Sequence, residues 1–151
     1  MRKNFLMTFV LLVGLLFGVQ PNAHAYYYPD YWNGDRNFIF VDGKQGAALY
    51  MKKSSLNVEQ YAPPIYVISV DLYHVDDPDR NNTRYRSIDV RRFRYNFAKR
   101  EMYTQDRSGK WNRLMSGVSS TTTSAGEMAF YIAYGKKFYG DYPDDFYRRA
   151  R

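Results

Sequence analysis

Pro64-Ile-Tyr-Val-Ile-Ser-Val-Asp-Leu-Tyr-His-Val75 is the strongest strand signal in the chain, and the fold reads outward from it. Tyr66, Ile68, Val70, Leu72 and His74 share one parity. Ile65, Val67, Ser69, Asp71 and Tyr73 share the other, which turns polar at its centre. Alternation of this kind belongs to a strand with one packed and one wetter face. The stretch is expected to form the middle of an antiparallel sheet.

On the N-terminal side, Asn37–Val41 and Ala47–Met51 are short β-prone runs around Asp42-Gly43-Lys44-Gln45-Gly46, which reads as a hairpin. Lys52–Pro63 reads as a polar connection with a single helical turn at Ser54-Ser55-Leu56, and Pro63-Pro64 leads extended into the central strand. Upstream, Tyr26–Arg36 has no period and forms an aromatic arm, with Trp32 expected to dock on the sheet.

On the C-terminal side, Asp76–Thr83 is an acidic loop. Asp77, Asp79 and Asn81 imitate the first oxygen ligands of a calcium loop, but Asn82 stands where glycine is needed and Ile88 where the bidentate glutamate is needed, so it reads as a turn. Arg84–Phe97 is the second long strand. Ile88 and Val90 differ in parity from Phe93, Tyr95 and Phe97, so a bulge at Arg91 or Arg92 is expected to bring all five to one face. Ala98-Lys99 turns the chain into Arg100–Gln105, and Asp106-Arg107-Ser108-Gly109 turns it again into Lys110–Leu114 with Trp111. Ser124-Ala-Gly-Glu127 fits a capping box that opens a helix closed by Gly140, and its broad apolar arc packs it on the sheet. Asp141–Arg151 is expected to be a mobile, basic, Tyr-containing tail. The fold class is therefore α+β: a meander of about six antiparallel strands with a C-terminal helix on one face, a single domain over residues 37–140.

The first 25 residues read as a cleaved signal peptide. Arg2 and Lys3 precede an apolar run, Phe5–Val19, and Ala23-His24-Ala25 supplies a small–x–small cleavage pattern. The run of about 15 residues is shorter than the roughly 20 that span a bilayer, and no later segment is long enough to cross one. The product is expected in the periplasm, on the cell surface or in the medium. Loss of Arg2 and Lys3 lowers the formal net charge from +7 to +5, which favours anionic surfaces, and export argues against nucleic acid as the partner. The chain has no cysteine, so disulfides, thiol nucleophiles and thiolate metal sites are excluded.

No catalytic constellation emerges, and neither a metal nor a cofactor is expected. His74 is the only histidine after the signal and shares its parity with Ile68 and Val70, which marks it as a core-edge residue. Asp76, Asp77 and Asp79 could furnish paired carboxylates, but loop acids beside a proline form turns. The binding candidates are Arg86, Arg91, Arg92, Arg94, Tyr95, Lys99 and Arg100, where cations interleave with aromatic rings. Asp71 and Asp89 compete for these arginines as cross-strand partners.

The chain resembles the surface-adhesin protein E family of small exported bacterial proteins. The resemblance lies in the early Trp32, Leu49-Tyr50-Met51 with Ser54-Ser55-Leu56, Arg94-Tyr95-Asn96-Phe97, Arg100-Glu-Met-Tyr103, and Asp106-Arg-Ser-Gly109-Lys-Trp111. It implies an antiparallel sheet with a packed helix, and adhesion to host matrix proteins. The expected function is non-enzymatic recognition of a macromolecule at the envelope or host matrix through a basic, aromatic sheet surface. The alternative is a periplasmic structural or inhibitor-like module acting on an envelope protein.

Overall fold

The computed structural model describes residues 25–117 and 120–151. Apart from Ala25, the expected signal peptide lies outside the described residues. Seven antiparallel strands form one sheet: β1 (Phe38–Lys44), β2 (Ala47–Lys52), β3 (Asn57–Ala62), β4 (Ile65–Asp76), β5 (Ser87–Asn96), β6 (Glu101–Gln105) and β7 (Trp111–Leu114). The order is β1-β2-β4-β5-β6-β7, and β3 pairs with β4. The opening stretch is thus the central strand, and the α+β architecture holds.

Within Lys52–Pro63 the expected single helical turn is present as a 3-10 turn, Lys53–Ser55, but the rest of the expected polar connection is instead strand β3. β2 lies along Leu72–Asp76 of β4 and β3 along Ile65–Ser69, so the two share one edge of the central strand. Where the chain leaves that edge between them, the Ser55 hydroxyl accepts the Asp71 N–H at 2.9 Å. Every residue of β3 is exposed. With no buried face there is no hydrophobic period to read, and main-chain pairing alone makes the strand. Pro63-Pro64, joined by a cis peptide bond, forms the two-residue turn from β3 to β4.

The expected bulge in β5 does not occur. Pairing with β4 runs unbroken from Ile65↔Asn96 to His74↔Ser87. Ile88 and Val90 therefore point away from Phe93 and Tyr95, and stand 43% and 64% exposed. Register shifts lie instead in β1, between Phe40 and Asp42, and in β3, between Val58 and Gln60.

One sheet face carries Ile39, Val41, Leu49, Met51, Ile68, Val70, Phe93, Tyr95 and Met102 against helix α1 (Thr121–Tyr134). The helix begins before and ends before the expected Ser124–Gly140. Ser120 is the cap, accepting the Thr123 N–H at 3.1 Å, and Gly135 closes the helix at φ +65°. Gly126 lets the helix approach the sheet: a Cβ there would stand 2.3 Å from the Met102 sulfur and 3.1 Å from the Phe93 ring. Glu127, expected in the capping box, is fully buried instead.

The tail, for which no structure was expected, is folded onto the core. Helix α2 (Asp144–Arg148) buries Phe146 and Tyr147 in the core under α1. The N-terminal arm docks as expected on the opposite sheet face, where Trp32 joins Ala48, Tyr50, Tyr73 and Val75 in a second core. Its indole N–H donates to the Asn82 carbonyl at 2.8 Å. The arm covers the β1–β2 half of that face, and the half formed by β5, β6 and β7 stays open.

The β6–β7 turn presents the open half. Asp106 accepts the backbone N–H groups of Ser108 and Lys110 and the Asn112 side-chain amide. Hydrogen bonds from Ser108 and then Asn112 pull its carboxyl from the ordinary 3.8 down to about 2. A depressed carboxyl stabilises the folded state above its unfolded pKa and loses that contribution as pH falls through the folded one. Asp106 is therefore expected to titrate by NMR near pH 2. A midpoint near 4 would mean that the turn is loose.

Candidate functional site

The seven binding candidates do not share one surface. Because β5 has no bulge, Arg92 and Arg94 face the open half while Arg91 faces the helix side. There Arg91 pairs with Asp89, two residues away on its own strand. Tyr95 is fully buried under α1, its hydroxyl donating to the Gly126 carbonyl at 2.8 Å, so it belongs to the core. Arg86 pairs with Asp76 at 3.3 Å. Lys99 and Arg100 lie in the β5–β6 turn, with the Arg100 guanidinium 5.5 Å from the Phe97 ring centroid. Parity decides these placements: neighbours along a strand look to opposite sides.

What the fold gathers on the open half is Arg92 and Arg94 with two rings from the next hairpin. Arg94 is the direct cross-strand partner of Tyr103, and Gln105 is that of Trp111. The Arg94 guanidinium lies 4.7 Å from the Tyr103 centroid and 5.1 Å from that of Trp111. Arg92 lies 5.7 Å from Trp111. Cation–π attraction of this kind contributes about 0.5–1 kcal/mol per contact at partly exposed sites.

Charge on this surface is mostly compensated. Glu59 of β3 receives the Arg92 Nε at 3.0 Å, and those hydrogen bonds hold its carboxyl below the ordinary range. Arg113 pairs with Glu101 at 3.3 Å, and Glu101 also accepts the Tyr103 hydroxyl at 2.9 Å. Hydrogen bonding to that carboxylate raises the Tyr103 pKa. Among the described residues, no acceptor or carboxylate engages Arg94. Its cross-strand candidates, Asp71 and Asp89, are elsewhere: Asp71 faces Val90 and Asp89 pairs with Arg91.

Glu59, Tyr103, Gln105 and Trp111 were absent from the sequence-based set. The hairpin turn at Asp106–Gly109 and the parity of Arg94 could have aligned the two rings with it. Glu59 could not be found that way, since it sits on the unrecognised β3.

No family model, curated protein or solved structure matches this chain.

Two further features lie beside β5, one at its edge and one on the face opposite the site. β6 ends its pairing at Phe93↔Thr104, so the Ser87–Arg91 part of β5 has no strand on its outer side among the described residues. Asp71 sends its N–H to Ser55, away from β5. Its partner Val90 therefore directs its own N–H and C=O away from β4, to that free edge. On the helix side, a cleft of about 300 Å³ is lined by Asp42, Leu49, Leu72, His74, Asp89, Arg91 and Thr121. Asp42 accepts the Thr121 hydroxyl there at 2.7 Å.

Proposed function

We propose that this is an exported, non-enzymatic binding protein, adhesin-like in kind, that recognises a macromolecule at the envelope or host matrix through the open half of its sheet. The observation that carries this reading is Arg94, set against Tyr103 and Trp111 and, among the described residues, without a carboxylate partner. Arginine, tyrosine and tryptophan are the residue types that concentrate binding energy at interfaces. The exposed Ile88 and Val90 extend the same surface along β5. Export rests on the composition of the first 25 residues.

The test is a titration of the protein against matrix proteins and an envelope polysaccharide. Changing Arg92 and Arg94 together to Ser is expected to weaken specific binding by about tenfold or more. Arg91→Ser, on the opposite face, is expected to leave it intact. Equal binding by the double variant, or no binding by the unaltered protein, would reject this reading.

The free edge of β5 favours a second reading, a periplasmic inhibitor-like module that receives a strand of an envelope protein. In that case Val90→Pro, which deletes the edge N–H, abolishes binding while Arg94→Ser leaves it unchanged.

A further inference from the structure

We infer that Arg94, Tyr103 and Trp111 form a subsite for an acidic saccharide, a pyranose ring bearing a carboxylate. This rests on the binding reading above and names its ligand class. The argument is one of matching groups. A guanidinium offers five N–H donors in a planar fork, and among the described residues none of those of Arg94 has a protein acceptor. A carboxylate meets that fork with two parallel hydrogen bonds. Trp111 and Tyr103 pair with no other aromatic ring among the described residues; beside their contacts with Arg92 and Arg94 both rings are partly exposed, and an aromatic face attracts the weakly positive C–H groups of a sugar face. Glu59 and Glu101, already fixed by Arg92 and Arg113, retain lone pairs that can accept sugar hydroxyls.

The same neighbours exclude the simpler ligands. A polyphosphate, charged at every phosphate and without hydroxyls to donate, would meet Glu59 and Glu101 as well as Arg94, and like charges repel. A neutral glycan would stack but leave the Arg94 donors unfilled. One negative charge per ring, set among several hydroxyls, fits both sets of groups, and that is the composition of a uronic acid residue.

The probes are tetragalacturonate, its methyl ester and inorganic polyphosphate, titrated into the full protein by calorimetry and by tryptophan fluorescence. Trp32 is buried in the second core, so a ligand-induced emission change reports on Trp111. Binding of tetragalacturonate is expected, weakened about tenfold or more by methyl esterification and equally by Arg94→Ser. Trp111→Ala is expected to weaken it and to remove the emission change, while Arg91→Ser has no effect. Circular dichroism of each variant confirms that it is folded. Equal affinity for the methyl ester or for polyphosphate overturns the inference, as does unchanged binding by Arg94→Ser or no binding at millimolar ligand. If tetragalacturonate fails while the Arg92/Arg94 double variant still loses a matrix-protein ligand, the saccharide assignment alone falls. If both fail, the binding reading falls with it.

Discussion

Glu127→Ala is expected to destabilise the protein by about 4 kcal/mol or more, the largest effect of any single substitution considered. The Glu127 carboxylate is wholly buried and accepts the backbone N–H groups of Phe138 and Tyr139, both at 2.8 Å, and of Gly140 at 3.2 Å. It also accepts the Tyr147 hydroxyl at 2.8 Å. These bonds fold the segment after α1 back under the helix and seat α2 in the core. Removing the carboxylate leaves four donors without their acceptor, those of Phe138 and Tyr147 buried and those of Tyr139 and Gly140 partly within reach of water; a buried unsatisfied donor costs about 1–3 kcal/mol, less whatever relaxation recovers. Burial, and next the bond to Glu127, push the Tyr147 pKa well above the ordinary tyrosine range, so its hydroxyl remains a donor at any working pH. Glu127→Gln is expected to recover only part of the loss, because its amide N–H₂ would face donors. Tyr147→Phe removes one bond and should cost about 1 kcal/mol. Urea unfolding of the three variants measures the order. A loss below 1 kcal/mol for Glu127→Ala would show that the tail is held by its apolar contacts alone.

Trp32→Ala is expected to cost about 3 kcal/mol, in the range for deleting a buried aromatic side chain. Trp32 is 6% exposed, packs edge-on against Phe38 at 5.3 Å, and lies 6.3 Å from Tyr50. It also carries the hydrogen bond to Asn82 that ties the arm to the loop before β5. Without it, Tyr50 and Tyr73 face solvent, and amide exchange over Tyr28–Asp35 should accelerate with the drop in stability. Phe38 and Tyr85 also touch the indole, so Trp32→Phe should retain much of the packing and lose the hydrogen bond. If Trp32→Ala leaves the urea midpoint unchanged, the arm is an appendage and the outer face is covered only loosely. Because the arm limits the open half of that face, its release would also enlarge the aromatic surface beside the Arg94 site.

The two variants act on opposite faces of one sheet, and they differ in what the chain reveals beforehand. Trp32 was readable as docked, since a large ring in an otherwise irregular segment has an apolar body to bury. Glu127 was misread. A serine three residues before a glutamate is the local pattern of a capping box, and only the return of Phe138–Gly140 turns that glutamate into the anchor of the tail. Its partners lie 11 to 20 residues away, beyond the reach of any helix-start pattern.

At the candidate site the split falls in the same way. The arginine-rich strand was legible, because its composition is local. Which arginines act together was not: one assumed bulge reversed the phase of half the strand, and without it Arg91 and Arg94 stand on opposite faces. Tyr95 carried a ring that could serve a surface or a core, and burial under α1 assigned it to the core.

By itself the amino-acid sequence determined the central strand, the hairpins other than β3–β4, and the α+β class. Those follow from alternation and turn chemistry, which act over a few residues. It likewise determined the cysteine-free composition. Only the tertiary structure decided that β3 completes an edge of β4, that the tail belongs to the core, and that Arg94 meets Tyr103 and Trp111. Each of these depends on hydrogen bonds or contacts between residues distant in the chain. Exposed edge pairing and a satisfied buried charge leave no hydrophobic period behind, so nothing local announces them.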